Sequence, residues 1–149
     1  GSERIVAASR GVTLVADTLW RDVDTAAFDA LVLPGGGPGT ERLKADKRVL
    51  EAVAVFDARG KTVAAVCAAP TVLAAAGVLN GRAATCYPGC EKELKGARYT
   101  AKGPVVSDKN ILTSQGPGTS FAFALALVER LAGKTAADKV AADLLYRAG

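Results

Sequence analysis

Two short apolar runs, each ending in small residues, constrain the fold of this chain more than any other feature. The first run, residues 29–33, is followed by one proline and three glycines, and the second, residues 62–66, leads into Cys67. Between them Asp46 has the position of a helix N-cap, apolar residues follow at helical spacing, and Gly60 marks the helix end. The order of strand, helix and strand predicts a βαβ unit with parallel strands.

The same alternation continues to the end of the sequence. It predicts one α/β domain over residues 1–149, with a largely parallel sheet between two layers of helices. In such sheets, ligand sites lie beyond the carboxyl ends of the strands. The remaining elements are predicted, in order, as a helix at 70–76, strands at 83–86, 104–106 and 111–114, a helix opened by Gly118-Thr119-Ser120 and ending near Leu131, and a helix from Thr135 to near Tyr146.

The composition excludes several classes of function. No apolar run approaches the roughly 18–20 residues that span a bilayer, so we expect a soluble protein without membrane contact. The net charge is +4, but basic residues alternate with acidic ones and aromatic residues make up only 5% of the chain, which argues against a nucleic-acid partner. The chain contains no histidine, which excludes Ser-His-Asp triads, Cys-His dyads and histidine-ligated metals formed by this chain alone.

Cys67 is the candidate residue for covalent chemistry. It lies at the end of a predicted buried strand, and small residues and a helix follow it. Small neighbours leave room for a strained turn, which is the logic of a nucleophile elbow with cysteine in place of serine. The start of the following helix offers N–H groups and partial positive charge, which favour a thiolate. The alternative is a small buried cysteine that packs at a strand end.

Three motifs give the sequence a resemblance to the ThiJ/PfpI superfamily. The sequence is most similar to the branch of the parkinsonism-associated deglycase and its bacterial YajL-like relatives. The resemblance implies a flavodoxin-like three-layer sandwich, although nothing in this sequence matches the family's first strand–helix–strand segment. The motifs are, in order, Leu31-Val32-Leu33-Pro34-Gly35-Gly36, Val66-Cys67-Ala68-Ala69-Pro70-Thr71 and Leu112-Thr113-Ser114-Gln115-Gly116-Pro117-Gly118-Thr119-Ser120-Phe121.

The resemblance also implies roles for five residues. Cys67 matches the family's nucleophile, and Gly36 and Ala68 match positions whose backbone N–H groups form an oxyanion pocket beside it. Arg10 lies in a segment that, in the family's dimers, brings an arginine near the active site of the other subunit, so we expect a homodimer. Tyr87 falls where some relatives carry a histidine, which argues against the peptidase branch. Arg10 and Tyr87 are the expected substrate-binding residues, and no cofactor or metal is expected.

The unmatched segment of the family carries a glutamate that hydrogen-bonds the cysteine, together with a central strand of the sheet. Without that strand the sheet would present an unpaired edge. We therefore expect the segment to come from residues upstream of Gly1, from a companion N-terminal chain, or from another copy of the chain. We favour a fragment or cleavage product among these.

Cys86 and Cys90 are the other two cysteines of the chain. The chain has three cysteines, which is an odd number, and their spacing is not that of a disulfide scaffold. This favours a reducing compartment, so we expect a cytoplasmic protein. Two cysteines at this spacing, without histidine, make a poor zinc motif. They are interpreted either as small core residues or, alternatively, as a thiol that forms a disulfide with oxidised Cys67.

Two functions of different classes follow as hypotheses. The resemblance implies a cysteine enzyme that acts on a small carbonyl substrate, glyoxalase-III-like or deglycase-like, with methylglyoxal or its early adducts as substrate. The alternative is a redox-responsive chaperone or oxidative-stress sensor, in which Cys67 is oxidised to sulfenic and then sulfinic acid. Hydrolysis of other small molecules, as in more distant branches, lacks its acid–base partner in this sequence.

Overall fold

The structure is a computed structural model that describes residues 3–147, apart from the side chain of Ser9. None of the helices within this range is long and apolar enough to cross a bilayer. The strands are β1 (Ile5–Ala7), β2 (Thr13–Val15), β3 (Ala30–Leu33), β4 (Thr62–Val66), β5 (Ala83–Ala84), β6 (Arg98–Tyr99), β7 (Val105–Asp108) and β8 (Ile111–Ser114). The α-helices are α1 (Gly37–Ala45), α2 (Lys47–Ala58), α3 (Pro70–Ala75), α4 (Ser120–Ala132) and α5 (Lys134–Asp143).

A four-stranded sheet with the order β3-β4-β8-β7 forms the centre of the molecule. The first three strands are parallel, and β7 runs antiparallel to β8. Successive side chains of β4 point to opposite faces, so Val63 and Ala65 join the core beneath α2 and α3, whereas Ala64 packs with Phe123 of α4. The predicted α/β architecture, with a largely parallel sheet between two helical layers, is confirmed.

The sequence pattern gives no sign of α1, because the first turn of this helix contains two glycines and Pro38. Proline is tolerated there, since an N–H in the first turn has no acceptor within the helix. Gly36 precedes the helix with a φ of 96°, a left-handed value that glycine adopts without strain. The predicted N-cap of α2 is confirmed, because the Asp46 carboxylate accepts a hydrogen bond from the Arg48 backbone N–H at 3.0 Å.

The strand predicted at 83–86 is shorter than expected and lies in a different sheet. Only β5 forms there, and it pairs in parallel with β6, outside the central sheet. The chain leaves this ladder at Thr85, whose backbone N–H donates to the Thr113 hydroxyl of β8 at 3.0 Å. Cys86 therefore follows the strand instead of ending it. β7 likewise begins one residue after Pro104, because proline has no N–H for the ladder.

The predicted cap of the last helix is wrong. Gly133, not Thr135, takes the N-cap position of α5, and the same glycine ends α4. Its φ of 86° lets the chain change direction within one residue, which leaves Thr135 inside the helix. The helix ends at Asp143, before the predicted boundary at Tyr146.

β7 forms one edge of the central sheet, and β3 forms the other. Within residues 3–147, β3 pairs with β4 alone, and the preceding strands β1 and β2 form a separate antiparallel hairpin that the sequence pattern does not predict. Next to this edge, Phe28 is 52% exposed and Val32 of β3 is 44% exposed, although both are apolar. An open edge flanked by exposed apolar side chains is a surface that another polypeptide can cover.

A hydrogen-bonded ion pair ties the elements together at the amino ends of the parallel strands. The Arg82 guanidinium donates to both carboxylate oxygens of Asp57, at 2.6 and 3.1 Å. The Asn110 side-chain amide donates to Asp57 at 3.0 Å and to the Lys61 carbonyl at 2.9 Å. The two charged side chains are only 19% and 16% exposed, so this cluster joins α2, the start of β5 and the β7–β8 turn with little access of water.

Replacing Arg82 with alanine is expected to lower the free energy of unfolding by about 2–3 kcal/mol, because the Asp57 carboxylate would stay largely buried without its main partner. Denaturant unfolding followed by circular dichroism measures this loss. Lys134→Ala is the control, since its ion pair with Asp138 at 2.7 Å is exposed and is expected to contribute less than about 0.5 kcal/mol. Equal losses in both variants would contradict the prediction.

Candidate functional site

Cys67 occupies a sharp turn between the end of β4 at Val66 and the start of α3 at Pro70. Its φ of 65° lies in the left-handed region. For a residue with a Cβ atom this conformation costs about 1–2 kcal/mol. The predicted strained turn between a strand and a helix is therefore confirmed.

Two hydrogen bonds hold the backbone on either side of this residue. The Cys67 N–H donates to the Ser114 carbonyl at the end of β8, at 3.0 Å. The Cys67 carbonyl accepts a hydrogen bond from the Tyr87 N–H, at 2.8 Å. Segments that are distant in sequence thus fix the strained turn, an arrangement typical of functional sites.

Gly35 makes a close contact with Cys67 that the sequence pattern alone does not single out. A Cβ atom on Gly35 would lie 2.5 Å from the Cys67 Cβ, 3.2 Å from its Sγ and 3.0 Å from the Val66 carbonyl oxygen. Real Cβ atoms do not approach other atoms so closely, so only glycine fits here. The run of glycines after β3 was the signal in the sequence, but which glycine meets the cysteine follows only from the fold.

Gly36 and Ala68, the predicted oxyanion donors, flank this contact. Gly36 follows Gly35, and Ala68 follows Cys67 in the turn. Within residues 3–147, neither of these two amide N–H groups donates to a backbone carbonyl. Unengaged amide donors next to a nucleophile are the kind of group that can hold an oxygen as it gains negative charge. The structure brings these residues together, and their role as oxyanion donors stays a prediction.

Tyr87 lies next to Cys67 through its backbone, and its ring lies on Gly116. The ring side chain is 49% exposed. A Cβ atom on Gly116 would lie 3.2 Å from ring atom Cδ2 and 3.5 Å from Cε2. Thr119 fixes the Gly116 loop, because its hydroxyl accepts from the Gly116 N–H at 3.1 Å and contacts the Ser114 hydroxyl at 2.6 Å. Tyr87 is thus placed at the site, while its role in binding substrate stays a prediction.

Arg10 is not part of this cluster within one chain. It lies in the connection between β1 and β2, with a φ of 63° and an exposed side chain. The hairpin that carries it belongs to a separate sheet. The role expected for Arg10 involves the active site of another subunit, and it stays a prediction.

Cys86 and Cys90 are held as neutral thiols at physiological pH. Burial raises the pKa of the fully buried Cys86 to about 12, and burial also raises the pKa of Cys90. Because the thiolate is the nucleophilic form, neither residue is a ready nucleophile. Cys86 packs in the main core, in line with its interpretation as a small core residue. Among residues 3–147, no three or more cysteine, aspartate or glutamate side chains are placed to hold a metal ion.

Two open cavities lie away from Cys67. The larger, of about 580 Å³, is bordered by the amino ends of β3 and β4 and by the end of α4, and the second, of about 450 Å³, lies between β7 and α4. Lys61, which lines the larger cavity, already donates to the carbonyl of Ala26 at 2.8 Å and to that of Phe28. Backbone strain, close packing and unengaged donors meet at Cys67 and not in these cavities, so the Cys67 turn is the candidate site.

The fold and the site together define a class of three-layer α/β proteins that carry a cysteine on a strained strand-to-helix turn. Residues 2–130 match the family model described as the DJ-1/PfpI family. The chain belongs to this family, which confirms the resemblance that the three motifs indicate.

Individual relatives extend this comparison. Protein DJ-1 homolog A of Arabidopsis thaliana is 43% identical to this chain over 144 residues. The match covers 95% of this chain but 37% of the Arabidopsis protein, so the chain spans little more than a third of that relative's length. The glutathione-independent glyoxalase DJR-1.2 of Caenorhabditis elegans is 36% identical over 129 residues, which are 86% of this chain and 68% of the relative. The crystal structure of Drosophila melanogaster DJ-1beta superposes with a TM-score of 0.93 at 39% identity, covering 97% of this chain and 78% of that chain, and this confirms the flavodoxin-like fold.

Gly35→Ala is expected to disturb Cys67 directly. The added methyl group would overlap the Cys67 Cβ and crowd its Sγ. Overpacking of this kind costs about 1–3 kcal/mol of folding stability. We also expect alkylation of Cys67 by iodoacetamide to slow about tenfold, which corresponds to about 1.4 kcal/mol. Peptide mass spectrometry of the alkylated protein measures the rate at Cys67 alone.

Gly39→Ala is the matched control in the same loop and helix. A Cβ atom on Gly39 meets nothing within 4 Å. Alanine is also favoured over glycine inside a helix by about 1 kcal/mol, so this variant is expected to be at least as stable as the parent. Equal alkylation rates in the two variants would show that the Gly35 contact does not govern access to Cys67.

Proposed function

We propose that the protein is a cysteine-dependent enzyme that acts on small reactive carbonyls, of the glyoxalase-III or deglycase type, with methylglyoxal or its early adducts as substrate. The observation that carries this proposal is the strained Cys67 turn packed against Gly35, with the unengaged amides of Gly36 and Ala68 one residue after each member of this contact. Similarity to the nematode protein named as a glutathione-independent glyoxalase supports the same chemistry.

The reaction would begin with addition of the Cys67 thiolate to the aldehyde carbon of methylglyoxal. A C–S bond forms, and the carbonyl π electrons move to the oxygen, which the N–H groups of Gly36 and Ala68 hold. The oxygen takes a proton from the acid–base group and gives a neutral hemithioacetal. The hydrogen of the former aldehyde carbon then moves as a proton to the neighbouring carbonyl carbon through an enediol, which gives the lactoyl thioester. Water cleaves this thioester to lactate and the free thiol, so the net change is the addition of one water molecule.

The proton transfer needs an acid–base group at the sulfur. Within residues 3–147, no side chain hydrogen-bonds the Cys67 sulfur, so we assign this step to the glutamate that the family resemblance implies. That glutamate would come from the polypeptide that covers the open edge of β3.

A redox-responsive chaperone or oxidative-stress sensor is the second candidate function. It is favoured by the partial exposure of Cys67, which lets a peroxide reach the thiol, whereas Cys86 is fully buried. In this case peroxide would oxidise the Cys67 thiolate to sulfenic acid, and a second equivalent would give sulfinic acid.

We further propose that the protein works as a homodimer and that the β3 edge is covered by upstream residues, a companion N-terminal chain or another copy. The exposed apolar side chains of Phe28 and Val32 near this edge, and of Leu131, which lines the same cavity as Phe28, support this proposal. We also propose that the protein works in the cytoplasm, without nucleic-acid or membrane partners.

Native and denaturing mass spectrometry test the proposed assembly. The expected result is a native mass above that of a single 149-residue chain. The denatured mass then distinguishes a longer polypeptide from a complex of separate chains. A well-folded monomer of the 149 residues that turns over methylglyoxal would overturn the proposed cover and the assignment of the proton shuttle.

Cys67→Ser is expected to lower methylglyoxal turnover by about three orders of magnitude or more, because the variant lacks the attacking thiolate. The loss of methylglyoxal and the appearance of lactate measure the rate. Cys90→Ser is the control, since Cys90 has no part in the proposed steps, and it is expected to keep the parental rate. Turnover that survives in Cys67→Ser would exclude the mechanism.

Mild peroxide separates the two candidate functions in the same set of variants. If Cys67 is oxidised first and reversibly while methylglyoxal turnover is absent, the sensor function replaces the enzymatic one. Preferential oxidation of Cys86 or Cys90, detected by peptide mass spectrometry, would count against both.

A further inference from the structure

We propose that the Tyr87 ring, seated on Gly116, forms a steric wall that limits the size of the compounds that reach Cys67. We call this pair the Tyr87 wall. For its natural substrates the inference rests on the proposed function, because it assigns the specificity of that site to small 2-oxoaldehydes. The wall itself is a property of the folded chain, and thiol reagents can test it without any enzymatic activity.

The backbone of Tyr87 is fixed on both sides. Its N–H donates to the Cys67 carbonyl at 2.8 Å, and its own carbonyl accepts from the Cys90 N–H at 3.0 Å. The point of the backbone from which the ring projects is therefore set by one of the hydrogen bonds that hold the turn. Only rotations of the side chain remain, and Gly116 meets one edge of the ring.

Glycine at position 116 is favoured by the ring and not by the backbone. The φ and ψ of Gly116 are 170° and −165°, an extended conformation that any residue adopts. Gly116 is nevertheless buried, and a Cβ atom there would lie 3.2 Å from the Tyr87 ring. The ring of Tyr87 can thus pack against Gly116 because this residue has no side chain.

Tyr87 has a bulky side chain, and its backbone is hydrogen-bonded to the Cys67 turn. Gly35 contributes no side chain, and Ala68 contributes only a methyl group. The exposed half of the ring presents an apolar face to solvent at this point. A carbonyl compound of three carbons is small enough to pass the Tyr87 ring, whereas a compound that carries a large ring would collide with it.

The test compares alkylation of Cys67 by a small and a bulky reagent, iodoacetamide and a pyrene maleimide, with peptide mass spectrometry as the readout. In Tyr87→Ala we expect the preference for the small reagent to fall about fivefold or more. Gly116→Ala, whose methyl group moves the ring by only a few tenths of an ångström, is expected to change the preference by less than Tyr87→Ala does. The double variant should go no further than Tyr87→Ala, because both changes act on one wall.

Two further variants separate the wall from general damage. Gly118→Ala is the matched control in the same loop, since a Cβ atom there meets nothing within 4 Å, and it should keep the parental preference. Tyr87→Phe keeps the ring and should also keep the preference, whatever its absolute rate. An unchanged preference in Tyr87→Ala, or a loss of preference in Tyr87→Phe, would overturn the proposal.

Turnover of methylglyoxal and phenylglyoxal by the same variants connects the wall to the proposed function. We expect the ratio of their kcat/KM values to shift toward phenylglyoxal in Tyr87→Ala. If neither compound is turned over but the alkylation preference shifts, the wall stands and the proposed function fails. If both are turned over with an unchanged ratio and unchanged alkylation preference, the function stands and the wall is excluded.

Discussion

The left-handed backbone at Cys67 is the constraint on which the rest of the site depends. A residue with a Cβ atom holds this conformation at a cost of about 1–2 kcal/mol. A backbone hydrogen bond contributes a net of about 0.5–1.5 kcal/mol, so the two bonds to Ser114 and Tyr87 are together just large enough to offset the strain. The turn therefore persists only while the end of β8 and the loop after β5 both stay in place.

Three glycines support this turn for three different physical reasons. Gly36 is needed for its φ of 96° at the start of α1. Gly35 is needed because a Cβ atom would collide with Cys67, and Gly116 because a Cβ atom would crowd the ring of Tyr87. The chain thus shapes the surroundings of the thiol by leaving side chains out, which allows the backbone at Gly35 to pack directly against Cys67.

The sequence predicts the features that depend on local pattern. The buried strand before Cys67, the helix after it and the cap at Asp46 are each specified by neighbouring residues, and the structure has all three. The start of α1 could not be predicted, because its glycines and proline have the composition of a loop. Gly133 both ends α4 and caps the start of α5, and the sequence pattern does not show that one glycine has both roles.

The contacts at the candidate site are less predictable than the elements that carry them. The motifs point to Cys67, and the glycine runs mark two loops, but the pairs Gly35–Cys67 and Tyr87–Gly116 join residues far apart in the chain. Such contacts depend on the order of the strands in the sheet, which no local sequence pattern shows. This is why the sequence predicts the position of the nucleophile, whereas the group that we propose limits access to it follows only from the fold.

The open sheet edge and the site are physically connected through β3. This strand has four residues, pairs on one side only within residues 3–147, and leads through Pro34 directly into Gly35. Any polypeptide that pairs with the free edge would hold β3 more firmly, and with it the contact between Gly35 and Cys67. The geometry around the thiol is therefore coupled to the state of the sheet edge. A polypeptide that covered this edge would hold β3 in place, and β3 in turn would hold Gly35 against the strained cysteine.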